Sequence, residues 1–115
     1  MNDKVPLYVI GLSKDEEPAA NLLRSKFGDT LDKAQKILSD IIEAKIDAKT
    51  QNSEGSRTHY DATATVVTSK NRLRYTESGW DILKIVDDLS KKLEGDLTKH
   101  DQNRQKKSIR KKESF

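Results

Sequence analysis

The chain has no cysteine. That excludes disulfides and thiolate metal sites, and it fits a reducing, cytoplasmic setting. Its five glycines, Gly11, Gly28, Gly55, Gly79 and Gly95, each stand alone, so no glycine-rich loop is available to cradle a phosphate. The two histidines, His59 and His100, are distant in sequence, and neither an HExxH spacing nor a serine-centred elbow occurs. No run of about 18 apolar residues exists to span a membrane. Met1 to Val5 lacks the charged-then-apolar pattern of a signal peptide. Aromatic residues make up only 5%, with a single tryptophan, Trp80. These absences predict a protein that is not an enzyme. They leave no catalytic residue, cofactor, metal, membrane or small-molecule substrate to assign.

Charge is what the chain has in quantity. Of its 115 residues 36% are charged and 33% hydrophobic, a thin supply of apolar side chains for one domain of this length. The net charge is only +3, but it is unevenly placed. Between Thr98 and Phe115 lie seven basic residues (Lys99, Arg104, Lys106, Lys107, Arg110, Lys111, Lys112) and two acidic ones (Asp101, Glu113). The rest of the chain is therefore slightly acidic. An acidic body with a basic end suits a polyanionic partner that is addressed locally.

Periodicity gives the order of elements. Leu7 to Leu12 (LYVIGL) is a near-continuous apolar run that reads as a short strand, or as one covered on both faces. Asp15, Glu16 and Glu17 precede Pro18, a combination suited to the first turn of a helix, where unpaired amide hydrogens make the end electropositive. Ala20, Leu23, Phe27, Leu31, Ala34 and Leu38 follow at steps of three and four, one stripe that passes Gly28-Asp29 without losing phase. From Glu43 the period becomes two, with Ala44, Ile46 and Ala48 on one face of a second strand. Thr50 to Arg57 (TQNSEGSR) reads as a hairpin loop. Tyr60, Ala62, Ala64 and Val66 form the inner face of a third strand. After a turn at Ser69-Lys70-Asn71, Leu73 and Tyr75 form that of a fourth, with Ser78-Gly79 closing the sheet. A second helix carries Ile82, Ile85, Val86, Leu89, Leu93 and Leu97 on its apolar stripe.

The order β-α-β-β-β-α predicts an α+β domain over residues 1–101, a four-stranded sheet with two helices packed on one face and the other face largely open. Residues 102–115 are expected to be a basic, disordered tail. Tyr60, Tyr75 and Trp80 are expected in the core. The open face, with Asp61, Thr63, Thr65, Arg72 and Arg74, is then expected to lack the aromatic platform of an RRM.

On the second helix, at about 100° per residue, Lys84, Lys91, Lys92 and Lys99 share one flank, and Asp87, Glu94 and Asp101 the opposite one. Lys92, Lys99 and Lys106 are spaced by two turns. A basic stripe continued by a flexible basic tail can track a phosphate backbone, although charged residues on a helix exterior more often only solvate it. On the first helix Arg24, Lys26, Lys33 and Lys36 are diluted by Glu17, Asp29 and Asp32.

The second helix resembles the signature helix of the ribosome hibernation promoting factors, also called sigma-54 modulation or ribosome-associated inhibitor proteins. The matching positions are Asp81, Asp87, Lys92-Leu93-Glu94, Leu97 and Lys99-His100. Gly11 after the first strand, Lys26-Phe27 and the segment from Ser39 to Ile46 extend the likeness over about residues 7 to 100. Gly95-Asp96 departs from it, in place of a pair that is usually polar or basic. The resemblance implies a short form of the family, with a fold like a double-stranded-RNA-binding domain plus one strand. It also implies binding to the small ribosomal subunit and its rRNA, and translation inhibited by occlusion of the messenger and transfer RNA sites. Lys26, Lys92 and Lys99 are the carried-over contacts. Arg24 and Lys91 are added on charge grounds, Lys84 from the stripe, and Arg104, Lys106 and Lys107 from the tail. A general double-stranded-RNA binder, and a protein-interaction module using the open sheet or the acidic flank, are the alternative readings.

Overall fold

In a computed structural model the backbone is described for residues 5–54 and 57–113, and the side chains for residues 5–51 and 58–99. The expected order is found: β1 (Leu7–Ile10), a short 3-10 turn (Lys14–Glu16), α1 (Glu17–Gln35), β2 (Ile41–Glu54), β3 (Arg57–Thr68), β4 (Arg72–Gly79) and α2 (Ile82–Glu113). The strands lie side by side in chain order. β1 runs parallel to β2, Leu7 opposite Ala44 and Val9 opposite Ile46, and the two following pairs are antiparallel. The fold is thus α+β, a four-stranded mixed sheet with both helices on one side.

Alternation decides which side. Ala44, Ile46, Ala48, Ala62, Ala64, Val66 and Tyr75 point to one face and are buried there with Leu23, Phe27, Leu31 and Ala34 of α1 and Ile85, Val86, Leu89, Leu93 and Leu97 of α2. The inner sheet face is mostly alanine, so the bulk of the core comes from the helices, whose leucines and Phe27 fill the layer above short side chains. Deep burial of so few large residues is how a chain poor in apolar residues still closes one core.

Several local details have clear causes. Gly11 ends β1 with φ 95°, in the left-handed region that glycine enters without steric cost. A Cβ at that position would also collide with the Ala48 carbonyl oxygen on β2. This is why the apolar run stops being a strand at Ile10 rather than at Leu12. A register shift between Ile41 and Glu43 is a bulge, and it leaves Ile42 exposed. The β3–β4 turn is held by Thr68, whose hydroxyl accepts from the Asn71 amide at 2.8 Å and donates to the Asn71 carbonyl at 3.1 Å.

The expected hairpin loop over Thr50 to Arg57 is not what forms. β2 continues to Glu54, which pairs with Arg57 of β3, past a register shift between Thr50 and Ser53. The strands outrun the core there, so the ladder of backbone hydrogen bonds persists without an apolar face to announce it.

Two tyrosines tie the helices to the sheet. The Tyr60 hydroxyl donates to Glu16 Oε1 at 2.5 Å, just ahead of α1. The Tyr75 hydroxyl donates to Asp96 Oδ2 at 2.6 Å on α2. Desolvation first, then the carboxylate acceptor, pushes the Tyr60 phenol up to about 12. The same two causes, in the same order, push Tyr75 up as well. Asp96, a departure from the family pattern when read as charge, is thus the acceptor that seats α2.

Two outcomes follow. Gly11→Ala should lower stability by about 2 kcal/mol or more, because it meets both the φ penalty and the Ala48 carbonyl; a urea melt reads this directly. Both phenols are held neutral in the folded state above their ordinary range. Their contribution is therefore fully present below pH 10 and is lost as pH rises beyond it, through about 12 for Tyr60 and higher still for Tyr75. Urea midpoints taken from pH 8 to pH 12 should fall steeply only above pH 10, and more shallowly in Tyr60→Phe/Tyr75→Phe.

Candidate nucleic-acid interface

The basic residues of α2 are positioned from the first turn of the helix. Asp81 Oδ1 accepts from the Leu83 amide at 3.0 Å, an N-cap that fixes where the helix begins and so the phase of every later side chain. With the stripe Ile85, Leu89, Leu93 buried, Lys84, Lys91, Lys92 and Lys99 come out on the exposed side. Gly95 lies between them with open space around its Cα.

The four lysines do not form one uniform ridge. Lys91 lines a groove between the helices with Lys26, Lys33, Asp29, Asp87, Ser90 and Glu94. Lys33 pairs there with Glu94 at 3.9 Å, both well exposed. This groove brings Lys26 and Lys91 together, as the two-helix reading requires, but it holds three cations against three carboxylates. Lys92 turns the other way, toward the sheet. Its ammonium pairs with Glu77 at 2.5 Å and donates to the Thr76 carbonyl at 2.9 Å, so it fastens α2 to β4 and covers a carbonyl of that edge strand. Lys99 lies beside a cleft of about 620 Å³ whose apolar lining is Ile37, Leu38, Leu73 and Leu97. Lys84 is exposed near the start of α2. Arg24 is exposed and donates to Asn21 Oδ1 at 2.9 Å one turn back on α1. The backbone of α2 runs on to Glu113, through most of the segment expected to be a disordered tail; the side chains of Arg104, Lys106 and Lys107 lie outside the described residues.

The open face differs from its expectation. Trp80 is not a core plug: it is 39% exposed and meets the His59 ring edge-on, centroids 4.9 Å apart. β4 alternates with Tyr75 inward and ends at Gly79, which is opposite Tyr60, so the next residue, Trp80, and its neighbour His59 face outward. Tyr60 and Tyr75 do face inward as expected. Tyr8, 51% exposed, stands outward in register with Lys45. The face therefore does carry aromatic rings. Tyr8 was hidden because a continuous apolar run carries no alternation, and Trp80 because it sits one residue past the strand.

Among the described residues no cluster of histidine or acidic side chains could hold a metal ion, and no helix is long and apolar enough to cross a membrane. No protein-family model matches the sequence, and no curated protein matches it. Among solved structures, the chain is similar to a ribosomal subunit interface protein from Coxiella burnetii. The TM-score is 0.54 and the identity 17%, over 85% of this chain and 97% of that one. At that identity the likeness is one of fold. The N-terminal domain of Thermus thermophilus Protein Y aligns more loosely, at a TM-score of 0.42 and 11% identity over 79% of this chain and 96% of that one.

Lys92→Ala should destabilise the fold by about 0.5–1 kcal/mol, since it removes a partly exposed ion pair and a hydrogen bond. Lys91→Ala should stay within about 0.5 kcal/mol of the parent. Chemical denaturation of the two variants side by side checks the difference.

Proposed function

We propose that this protein binds the small ribosomal subunit and its rRNA in the cytoplasm, through the outer sides of α1 and α2, and inhibits translation by occluding the messenger and transfer RNA sites. The reading needs no chemistry of the chain, only a positively charged surface of fixed shape. The observation that carries it is the exposure of Lys84, Lys91 and Lys99 along α2, on a helix whose residues resemble the family signature. The fold shared with a ribosomal subunit interface protein supports it, as does the approach of Lys26 to the same side through the inter-helix groove. Arg24 extends that side along α1, and Lys92, with 46% of its side chain exposed, borders it.

The division of labour that follows is a body, residues 1–101, that supplies shape, and a segment, residues 102–115, whose Arg104, Lys106 and Lys107 add phosphate contacts. Because the inter-helix groove holds as many carboxylates as cations, affinity comes from the lysines around it and from the basic segment. Affinity of this kind falls steeply with salt, through release of counterions from the RNA. Recognition by shape rather than base sequence suits structured RNA, whose deep groove hides base edges from side chains.

Co-sedimentation with separated ribosomal subunits tests the reading. The protein should move with the small subunit at low salt and leave it at high salt. Lys84→Glu/Lys91→Glu/Lys99→Glu should abolish the association with the circular dichroism spectrum unchanged. Lys92 is best tested apart from these three, because its loss also frees α2 from β4. Protein that stays at the top of the gradient at low salt would overturn the proposal, and equal binding to a naked RNA duplex would favour a general double-stranded-RNA binder.

A further inference from the structure

We propose that the open face of the sheet is a second binding surface, shaped for a single strand of RNA. Neither helix takes part in it, and it does not rest on the ribosome reading.

Register brings its residues together. On the face away from the helices, Tyr8, Lys45, Thr65 and Arg74 lie in one row across all four strands. The next row is Ile10, Asp47, Thr63 and Thr76, and the one after it holds Lys49, Asp61 and Ser78. Beyond them stand His59 and Trp80. Arg72 lies on the other side of the first row, opposite Val67. The middle of this surface is a trough of about 550 Å³ lined by Lys45, Asp47, Lys49, Asp61, Thr65 and Arg74, among others. None of Lys45, Lys49, Arg72 and Arg74 is spent on an ion pair within 4 Å among the described residues.

The chemistry of the trough selects among polyanions. A ligand with negative charge alone would meet Lys45, Lys49 and Arg74 but would also be repelled by Asp47 and Asp61. A single strand of RNA brings phosphates for the cations, and with its bases turned inward it brings base N–H groups and 2′-hydroxyls that the carboxylates and threonines can bond. A duplex also presents phosphates and 2′-hydroxyls, but its Watson–Crick N–H groups are paired and its base faces stacked, so it cannot satisfy the carboxylates and rings in the same way. Exposed rings at opposite corners, Tyr8 and Trp80, the latter set edge-on to the half-buried His59, give bases faces on which to stack, as in other single-strand surfaces. Rows spaced by two residues are about 6.7 Å apart, so the face runs on the order of 20 Å from Tyr8 to Trp80, enough for about four nucleotides, the low end of single-strand site sizes.

The chain's only tryptophan lies on this surface, so Trp80 emission reports occupancy directly. The experiment titrates the full chain with a mixed-sequence RNA octamer at low salt, with no ribosome present, and follows Trp80 emission together with the anisotropy of a labelled octamer. A saturable change is expected by both readouts. Binding should weaken about tenfold in Tyr8→Ala and in Lys45→Gln/Arg74→Gln, with circular dichroism unchanged, and should be unaltered in Lys36→Glu, a charge reversal at the end of α1. Polyphosphate of equal charge should compete poorly. Absence of binding by both readouts would overturn the proposal. So would full binding by folded Lys45→Gln/Arg74→Gln, or equal displacement by polyphosphate or by an acidic peptide. None of these failures bears on docking by the helices, which the gradient experiment measures separately.

Discussion

Both helices of this protein must bury their stripes against a sheet whose inner face is largely alanine. Ala44, Ala48, Ala62 and Ala64 leave a shallow surface, and Leu23, Phe27, Leu31, Leu89 and Leu93 descend onto it. Packing both helices on that one side buries their apolar stripes, though Leu83 of α2 stays exposed, and little remains to cover the opposite face. The placement of the candidate binding residues among the described side chains follows from this asymmetry. Cations on the helices look outward from one side of the molecule, and cations on the strands look outward from the other.

Charge on such a body acts by locality rather than by sum. The net value of +3 says little, since the inter-helix groove is balanced and Lys92 is committed to Glu77 and the Thr76 carbonyl. A lysine held this way still contributes to the field around α2, but binding a phosphate through it must compete with a contact that holds the helix in place. Exposed lysines without such a contact, Lys84 and Lys91, carry no such cost. The distinction separates cations that belong to the architecture from cations that a polyanion can recruit.

The tyrosine–carboxylate bonds show the same economy in polar groups. Tyr60 and Tyr75 fill the inner face at positions where an apolar side chain would serve, and each hydroxyl then reaches a carboxylate at a helix, Glu16 or Asp96. Among the described residues no buried side-chain polar atom lacks a hydrogen-bond partner. Each bond therefore sets where a helix lies along the sheet without leaving a desolvated group unpaired. Gly95 beside Asp96 lowers helix propensity, and its surface position leaves the packing untouched.

The sequence by itself determined the element order, the buried stripes and the inward faces of the strands, because amphipathic periods of 3.6 and 2 are written in the residues and need no partner to be read. It also contained the family likeness, carried by the residues of the second helix. Tertiary structure decided the rest. Ladder bonding extended β2 and β3 through a polar stretch where periodicity had no apolar face to mark. The junction after Gly79 turned Trp80 outward, because a residue past a strand end takes its side from the neighbouring pair and not from its own hydropathy. Only packing could divide four lysines of similar sequence spacing into one that latches α2 to an edge strand, one that lines a groove with α1, and two that stand in the open. Which cation meets which carbonyl or carboxylate depends on how helix and sheet lie against each other, and spacing along one chain does not encode that.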